Sequence, residues 1–526
     1  MTSRRRGSGA APRICGYCVA VRVDELAAAS PTAPAARPAL SASWLPLAAI
    51  VLLGALLRFA SLGAQSLWFD EAATWELTQL PFGEMLSALP DRESNPPLFY
   101  ALEWLTVRAL GDSEAALRAL SATAGTLLVV VAWAIGRRIG GPRVALATAL
   151  LVAVNPLLVW FSQEARSYQL VALLSAGSLL LFLRALEDDR PRVLAWWALL
   201  SALALCSHYF ACFVLAPQAA WLLWRHPRRH AVLAATAALA VVAAALLPLL
   251  LAQRDNPYDI ADASLAVRLA QVPKQFLLGY RGPLPLATVI AGGAIALCAA
   301  LLLARRTPRA VRDRALLVAG IGGVGVVLPL AGAAVGFDYV NARNLLPALV
   351  PLTAAIATGL ASAPAWRGRP VGWALLGALC AISAVIVVAT ATTPGYQRAD
   401  WKGLARGLGV SDEPRAIVIS PANGALALRY YRRDLSDLPH SGRSLHEVDV
   451  VGVAGATGPG DEQRLPTQVG TQFEVPGFLQ AGADSTERWV LLRYRAAEPV
   501  LVQPARVASI RFSQEPPNVS LLPAGR

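Results

Sequence analysis

Residues 44–75 read WLPLAAIVLLGALLRFASLGAQSLWFDEAATW, and two textures meet in them. The part up to about residue 62 is an apolar run of the length that crosses a hydrocarbon core of ~30 Å as a helix. The part from Trp68 to Trp75 sets two adjacent carboxylates, Asp70 and Glu71, among aromatic side chains. Acids placed directly after such a run are costly to desolvate unless they have a partner or a use. Position alone leaves two readings open, solvated connection acids or a chemical site. Trp68 and Trp75 are equally open between interfacial belt and site.

The rest of the chain repeats the alternation. Of 526 residues, 56% are hydrophobic and 15% are charged, and the mean hydropathy is +0.49. Soluble domains carry roughly 25% charged residues, so this chain lacks the charge to cover a water-facing surface. It reads as an α-helical polytopic membrane protein. The net charge of +13 is scattered between apolar runs, a distribution that fits charge-directed insertion better than a nucleic-acid surface. Lys274 and Lys402 are the only lysines; with the Ala, Gly, Pro and Leu bias this suggests a GC-rich bacterial genome and hence a bacterial cell membrane. Cys206, Cys212, Cys298 and Cys380 lie in apolar runs and read as small buried hydrophobes, while Cys15 and Cys18 form a lone CxxC that supports a zinc site weakly.

Apolar runs place about eleven membrane helices, near 44–62, 116–136, 143–160, 168–186, 193–207, 209–224, 231–251, 284–304, 315–335, 344–363 and 371–391. Arginine clusters fall in every second connection, so putting them in the cytoplasm puts the N-terminus there too. Residues 1–43 then read as a disordered cytoplasmic leader, 44–391 as the transmembrane module with a large external connection at 63–115, and 392–526 as an extracytoplasmic C-terminal domain. The alternation holds if 96–110, which opens on Pro96-Pro97 and carries Glu103 and Arg108, lies along the membrane face instead of crossing it. Strand-like runs at 416–419, 448–451 and 489–494, with helices at 400–408 and 424–431, predict a small α/β or α+β domain.

The spans contain essentially no Asp or Glu, which argues against an ion-coupled transporter. Polar residues gather instead in the external connections. The groups are Asp70/Glu71; Arg92-Glu93-Ser94-Asn95-Pro96-Pro97 with Arg118; Ser162-Gln163-Glu164-Ala165-Arg166-Ser167-Tyr168; and Asn341-Ala342-Arg343-Asn344, with His208 and Tyr209 nearby. Each has a plain alternative. Arg118 and Arg343 also read as snorkelling anchors, Glu164 and Arg166 as a surface pair, and His208 as a structural histidine.

Taken in order, Trp68-Phe69-Asp70-Glu71, Asn95-Pro96-Pro97-Leu98-Phe99-Tyr100, the 110–118 segment ending in Arg118, Asn155-Pro156 followed by Ser162–Tyr168, and Ser207-His208-Tyr209-Phe210 resemble the glycosyltransferase C superfamily. The resemblance is to the protein O-mannosyltransferase and lipid A aminoarabinose transferase relatives of family 39, and it covers roughly residues 44–360. It implies a transferase that takes its sugar from a polyprenyl phosphate at the outer membrane face. On that resemblance Asp70 is the catalytic acid of the first external connection, with Glu71 completing the pair. Arg118 and Arg343 match the family's arginines, and Gln163, Glu164, Arg166 and Tyr168 match the short second connection. Asn344 stands where relatives often have tyrosine, and the C-terminal region departs from the mannosyltransferase appendage.

The chemistry implied is an inverting transfer. Asp70 takes a proton from the acceptor hydroxyl. Arg118, Arg343 and Lys274 hold the phosphate charge. Gln163, Glu164, Arg166, Tyr168, His208 and Tyr209 bind substrate. Adjacent acids on an extended connection point apart, so Glu71 is expected to orient that connection or bind acceptor. A divalent metal bridging Asp70, Glu71 and phosphate is an option that no histidine-rich set supports. Partners would be the lipid-linked donor, membrane lipids, and an envelope glycan, lipid or protein acceptor. Two other classes compete: a flippase of lipid-linked sugars, which needs no base, and a non-catalytic scaffold, in which Asp70 and Glu71 are replaceable.

Overall fold

The computed structural model describes residues 44–188, 190–254, 256, 264–362, 370–453, 473–510, 512 and 516–525. The expected leader and the Cys15/Cys18 pair lie outside these residues.

Each of the eleven apolar stretches is helical. The first is α1 (Trp44–Phe59). The connection after it holds three short helices, α2 (Phe69–Gln79), α3 (Phe82–Arg92) and α4 (Leu98–Leu110). Then come α5 (Glu114–Gly140), α6 (Pro142–Val154), α7 (Pro156–Ser162), α8 (Tyr168–Glu187), α9 (Pro191–Ser207), α10 (Cys212–Arg225) and α11 (His230–Gln253). A helix of moderate length, α12 (Leu265–Leu278), precedes α13 (Pro285–Arg306), α14 (Arg309–Ala334), α15 (Leu346–Ser362) and α16 (Val371–Thr392). Among the described residues six helices are long and apolar enough to cross a membrane, or seven if α6 and α7 count as one span bent by 57°. Helices α1, α9 and α15 are apolar but shorter.

Local chemistry accounts for the ends that matter. Ser113 caps α5 by accepting from the Ala116 N–H at 3.3 Å, with Glu114 in its first turn. The α6–α7 break falls at Asn155-Pro156. Asn155 caps α7 by accepting from the Leu158 N–H, and its amide donates to the Phe276 carbonyl of α12. The break leaves carbonyls of α6 without helical donors, and Arg58 of α1 reaches two of them, Val152 at 3.2 Å and Ala153 at 2.9 Å. Arg58 also donates to Ser162 at 3.0 Å, so one buried guanidinium ties α1 to both ends of the bend.

The C-terminal region is a six-stranded sheet in the order β2-β6-β1-β3-β5-β4, with β1 (Arg415–Ser420), β2 (Ser436–Asp437), β3 (Arg443–Val453), β4 (Leu479–Ser485), β5 (Trp489–Val502) and β6 (Asn518–Leu522). The β1–β3 pair is parallel and the other pairs are antiparallel. Helices α17 (Trp401–Leu408) and α18 (Gly424–Tyr431) cover one face, packing Trp401, Leu404 and Leu428 on Ile417, Ile419 and Leu491. The strands and helices expected here are present, and β2, β4 and β6 are additions. Tyr430 of α18 meets Trp75 of α2 edge to face, with centroids 5.3 Å apart, and Tyr431 accepts from the Leu67 N–H at 2.7 Å. The sheet region therefore rests on the connection that carries Asp70.

Candidate active site

Asp70 and Glu71 lie on a helix. The sequence reading put them on an extended connection; instead they occupy the first turn of α2, where acids meet the unpaired N–H groups and the positive helix end. Glu71 reaches back to the Trp68 N–H at 3.4 Å, a weak closure of the same turn. Consecutive helical positions point roughly 100° apart, which sends the two carboxylates to different partners.

Glu71 faces inward and is fully buried. Arg118 donates to both its oxygens at 2.7 Å, a two-pronged pair, and the Ala165 N–H adds a bond at 3.0 Å. Burial alone would raise the Glu71 pKa; the paired Arg118 outweighs it and holds the carboxylate below its usual range. The remaining Arg118 donors go to the carbonyls of Leu62, Gln65 and Ser66. The sequence reading gave Arg118 to the donor phosphate; here its side chain is 1% exposed and its three nitrogens are bonded within the connection.

Asp70 points the other way, and its Oδ2 lies 3.3 Å from Nη1 of Arg343. Arg343 comes from the turn ahead of α15, where Asn341 accepts from its N–H, and its guanidinium lies 5.9 Å from the Tyr168 ring. A metal bridging both acids does not fit this arrangement, because Glu71 has given both oxygens to Arg118. Among the described residues no group of three or more His, Cys, Asp or Glu is placed to hold a metal.

The turn between α7 and α8 supplies the next wall. Arg166 is buried and pairs with Glu93 through two bonds of 2.6 and 2.9 Å, and it also touches Thr74 and the Asp70 carbonyl. Glu164 is buried and pairs with Arg398 at 2.9 Å. The two residues are thus neither on the surface nor paired with each other. Burial pushes the Glu164 carboxyl up to about 7 against the opposing pull of Arg398. Gln163 reaches to α1, its amide donating to the Leu57 and Arg58 carbonyls and to Ser61.

The outlying candidates divide. His208 is buried, accepts from the Phe210 N–H and lies 5.7 Å from the Tyr168 ring. Burial, with Arg166 and Arg343 nearby, pushes its pKa down to about 3, so the ring is neutral. Tyr209 points to α11, donating to Gln253 at 2.7 Å, and so stands in the frame. Lys274 of α12 donates to the Tyr280 carbonyl, and burial followed by Arg281 lowers its pKa. The Tyr280 ring packs edge to face on Trp160 and Phe161.

Sequence reasoning missed three residues here. Glu93 stood in a noticed cluster but was given no role, although an acid ahead of Asn-Pro-Pro was a usable signal. Arg58 was hidden inside an apolar run. Arg398 lies beyond the last span, where nothing local ties it to Glu164, 234 residues earlier. Glu103, cited only against a membrane crossing, is wholly buried; burial and the nearby Glu71 charge raise its pKa well above the usual range.

Residues 94–251 match the family described as dolichyl-phosphate-mannose-protein mannosyltransferase. The crystal structure of ArnT from Cupriavidus metallidurans bound to undecaprenyl phosphate superposes with a TM-score of 0.51 at 12% identity, covering 86% of this chain and 98% of that one. The single-particle cryo-EM structure of arabinofuranosyltransferase AftD from Mycobacteria gives a TM-score of 0.51 at 17% identity, covering 87% of this chain and 40% of that one. No curated protein sequence matches significantly. The chain shares the fold of these two membrane transferases. Within residues 94–251 its sequence resembles family 39, the mannosyltransferase-like group.

Proposed function

We propose that this protein is an inverting glycosyltransferase that moves a sugar from a polyprenyl-phosphate donor to an acceptor hydroxyl at the outer face of a bacterial cell membrane. On this reading about eleven helices cross, α4 lies along the interface, the N-terminus is cytoplasmic, and residues 392–526 form an extracytoplasmic domain above the site. The acceptor is an envelope glycan, lipid or protein.

The observation that carries the reading is the buried Asp70–Arg343 pair at the N-terminal end of α2. The donor's phosphate competes with Asp70 for Arg343, and a guanidinium suits both anions. Once Arg343 turns to phosphate, Asp70 is released to face the acceptor hydroxyl, which couples donor binding to readiness for chemistry. The acceptor oxygen attacks the anomeric carbon and its proton goes to Asp70. The bond from that carbon to the phosphate oxygen breaks, and the electron pair leaves on phosphate, where Arg343 meets the charge. Lys274, bonded to the Tyr280 carbonyl, is the second cation for the departing phosphate. Attack opposite the leaving group inverts the carbon. Glu164, Arg166 and Tyr168 line the sugar's side, with Glu71 and Arg118 bracing the turn behind Asp70.

The test is incubation of the purified protein with radiolabelled polyprenyl-phosphate sugars and a cell-envelope extract, followed by identification of what becomes labelled. Transfer by the wild type and none by Asp70→Asn is the expected result. Equal labelling by both removes Asp70 as base, and movement of donor across vesicles with no labelled product replaces the transferase reading with a flippase.

A further inference from the structure

The buried ion pairs around Asp70 differ in the origin of their arginines. Arg118 and Arg166 come from α5 and from the turn before α8. Arg398 comes from the segment joining α16 to α17, which leads into the C-terminal sheet. It is 2% exposed and fixed from several sides. Its N–H donates to Gln65 at 3.0 Å, Nη1 to the Gln163 carbonyl at 3.0 Å, and Nη2 to Glu164 Oε2 at 2.9 Å; the guanidinium lies 4.2 Å from the centroid of the Trp160 ring. The sheet region grips the same segment, since Arg488 donates to Gln397 at 3.1 Å and to Asp400 at 3.0 Å, and Asp400 in turn caps α17.

What Arg398 leaves over is the informative part. Glu164 Oε1 is buried and has no hydrogen-bond partner among the described residues, and the same holds for Arg343 Nε. Leaving a buried acceptor unsatisfied is costly, and a ligand donating to it removes the cost. Glu164 lies within electrostatic reach of Asp70, Glu71, Arg343, Tyr168 and Tyr280, so the unpaired oxygen belongs to the same cluster of side chains as the Asp70–Arg343 pair. A carboxylate oxygen held in place by a guanidinium is a strong acceptor for a sugar hydroxyl.

We propose, resting on the transferase reading above, that Arg398 is a positioning residue: it holds Glu164 so that Oε1 accepts a hydroxyl of the donor sugar. The C-terminal region thereby supplies part of the donor site. Recognition is of a hydroxyl-bearing sugar ring, distinct from the phosphate contact of Arg343. Glu164 must be ionised for this role, and its pair with Arg398 favours that form against burial and the nearby acids.

The experiment uses the full-length protein in lipid nanodiscs with the radiolabelled donor panel, comparing wild type, Arg398→Gln, Arg398→Lys, Glu164→Gln and Asp70→Asn. Arg398→Gln should raise the donor KM by about tenfold or more, the loss of one charge-assisted bond. It should also move the acid limb of the kcat/KM profile to higher pH by about one unit, because Glu164 loses the charge that favours ionisation. Arg398→Lys should recover part of both changes. Glu164→Gln should raise the KM similarly and remove the part of the limb that Arg398→Gln shifts, and adding Arg398→Gln to it should raise the KM no further. Should Arg398→Gln yield little folded protein, the Lys and Glu164 variants carry the same comparison. A folded fraction of Arg398→Gln with wild-type KM and pH profile overturns the proposal, leaving Arg398 a strut. Wild-type protein that transfers no sugar, like Asp70→Asn, overturns the transferase reading and this inference with it.

Discussion

Arg343 and Asp70 are 273 residues apart in the chain, yet Arg343 Nη1 lies 3.3 Å from Asp70 Oδ2. Both are nearly buried, with side chains 16% and 7% exposed, so each is the other's main counter-charge. Two consequences can be tested separately, one on each partner. Asp70→Asn keeps the shape of the turn and removes the base. Turnover should fall by about 10²–10⁴-fold, the usual worth of a positioned base, while membrane insertion and thermal stability stay close to wild type. The measurement is single-turnover transfer beside a detergent melt. Turnover within a factor of three of wild type ends Asp70's claim.

Arg343→Ala should act on the donor. Removing a charge-assisted contact worth about 1.5–3 kcal/mol predicts a donor KM raised by about 10–100-fold. Binding of undecaprenyl phosphate, without any sugar, should weaken in parallel. Unchanged lipid-phosphate affinity in a folded variant would assign Arg343 to bracing Asp70 alone.

The Glu71–Arg118 pair predicts the opposite pattern. Breaking a buried, multiply bonded pair by removing one partner costs about 3–5 kcal/mol, because the other charge stays buried unpaired. Glu71→Gln should therefore lose folded protein and lower the melting temperature by several degrees, with donor KM in the surviving fraction unchanged. Arg118→Lys should behave alike, since an ammonium cannot reproduce the fork to both Glu71 oxygens. A KM effect without a stability effect would restore Arg118 to the phosphate site.

These contrasts mark how far the sequence could be read. Helices are local: an apolar run announces α5, α8 or α16 without knowledge of any other segment, whereas the break at Asn155 lies inside the single run read at 143–160. Asp70 was legible because two acids directly follow a span. The partners of the acids were not legible. Nothing near Glu71 selects Arg118 over Arg343, and the two arginines, given one role by the sequence, take different partners only once α2 is seen to be a helix, turning Glu71 inward. Arg398 was out of reach for the same reason, being matched to Glu164 by packing alone.

The sheet gives a pH prediction away from the site. Asp449 of β3 is buried beside Arg415, which lies 3.2 Å from it. Burial pushes its carboxyl up to about 7 despite Arg415. With the folded pKa raised, the folded state holds a proton that the unfolded state releases above about pH 4. Stability from this group is therefore fully present below that pH and is lost as pH rises to about 7. Asp449→Asn should flatten this decline in thermal unfolding of the full chain between pH 4.5 and 8. A wild-type slope kept by the variant would assign the pH dependence to other groups.

The last prediction concerns the bend that aims the α7–α8 turn. Gly125 of α5 packs where Arg58 meets Ser162. A Cβ at Gly125 would collide with Ser162 Oγ and lie 2.7 Å from Arg58 Nε. Neither neighbour can yield freely. Ser162 is bonded to the Leu158 carbonyl at 2.6 Å, and Arg58 is held by Gly54, Val152 and Ala153. Gly125→Ala must therefore push α5 away from α7 or dislodge Arg58 from the carbonyls of the break. Overpacking of this kind costs about 1–3 kcal/mol. The displacement falls directly before Glu164 and Arg166, so activity should drop more than stability does, with the loss in kcat as well as KM. Ser162→Ala in the same background removes one of the two collisions, with Arg58 Nε still 2.7 Å away, and should recover part of the activity. Should the double variant be no better than Gly125→Ala, the bend is not what aims the turn, and the cost lies in α5 packing alone.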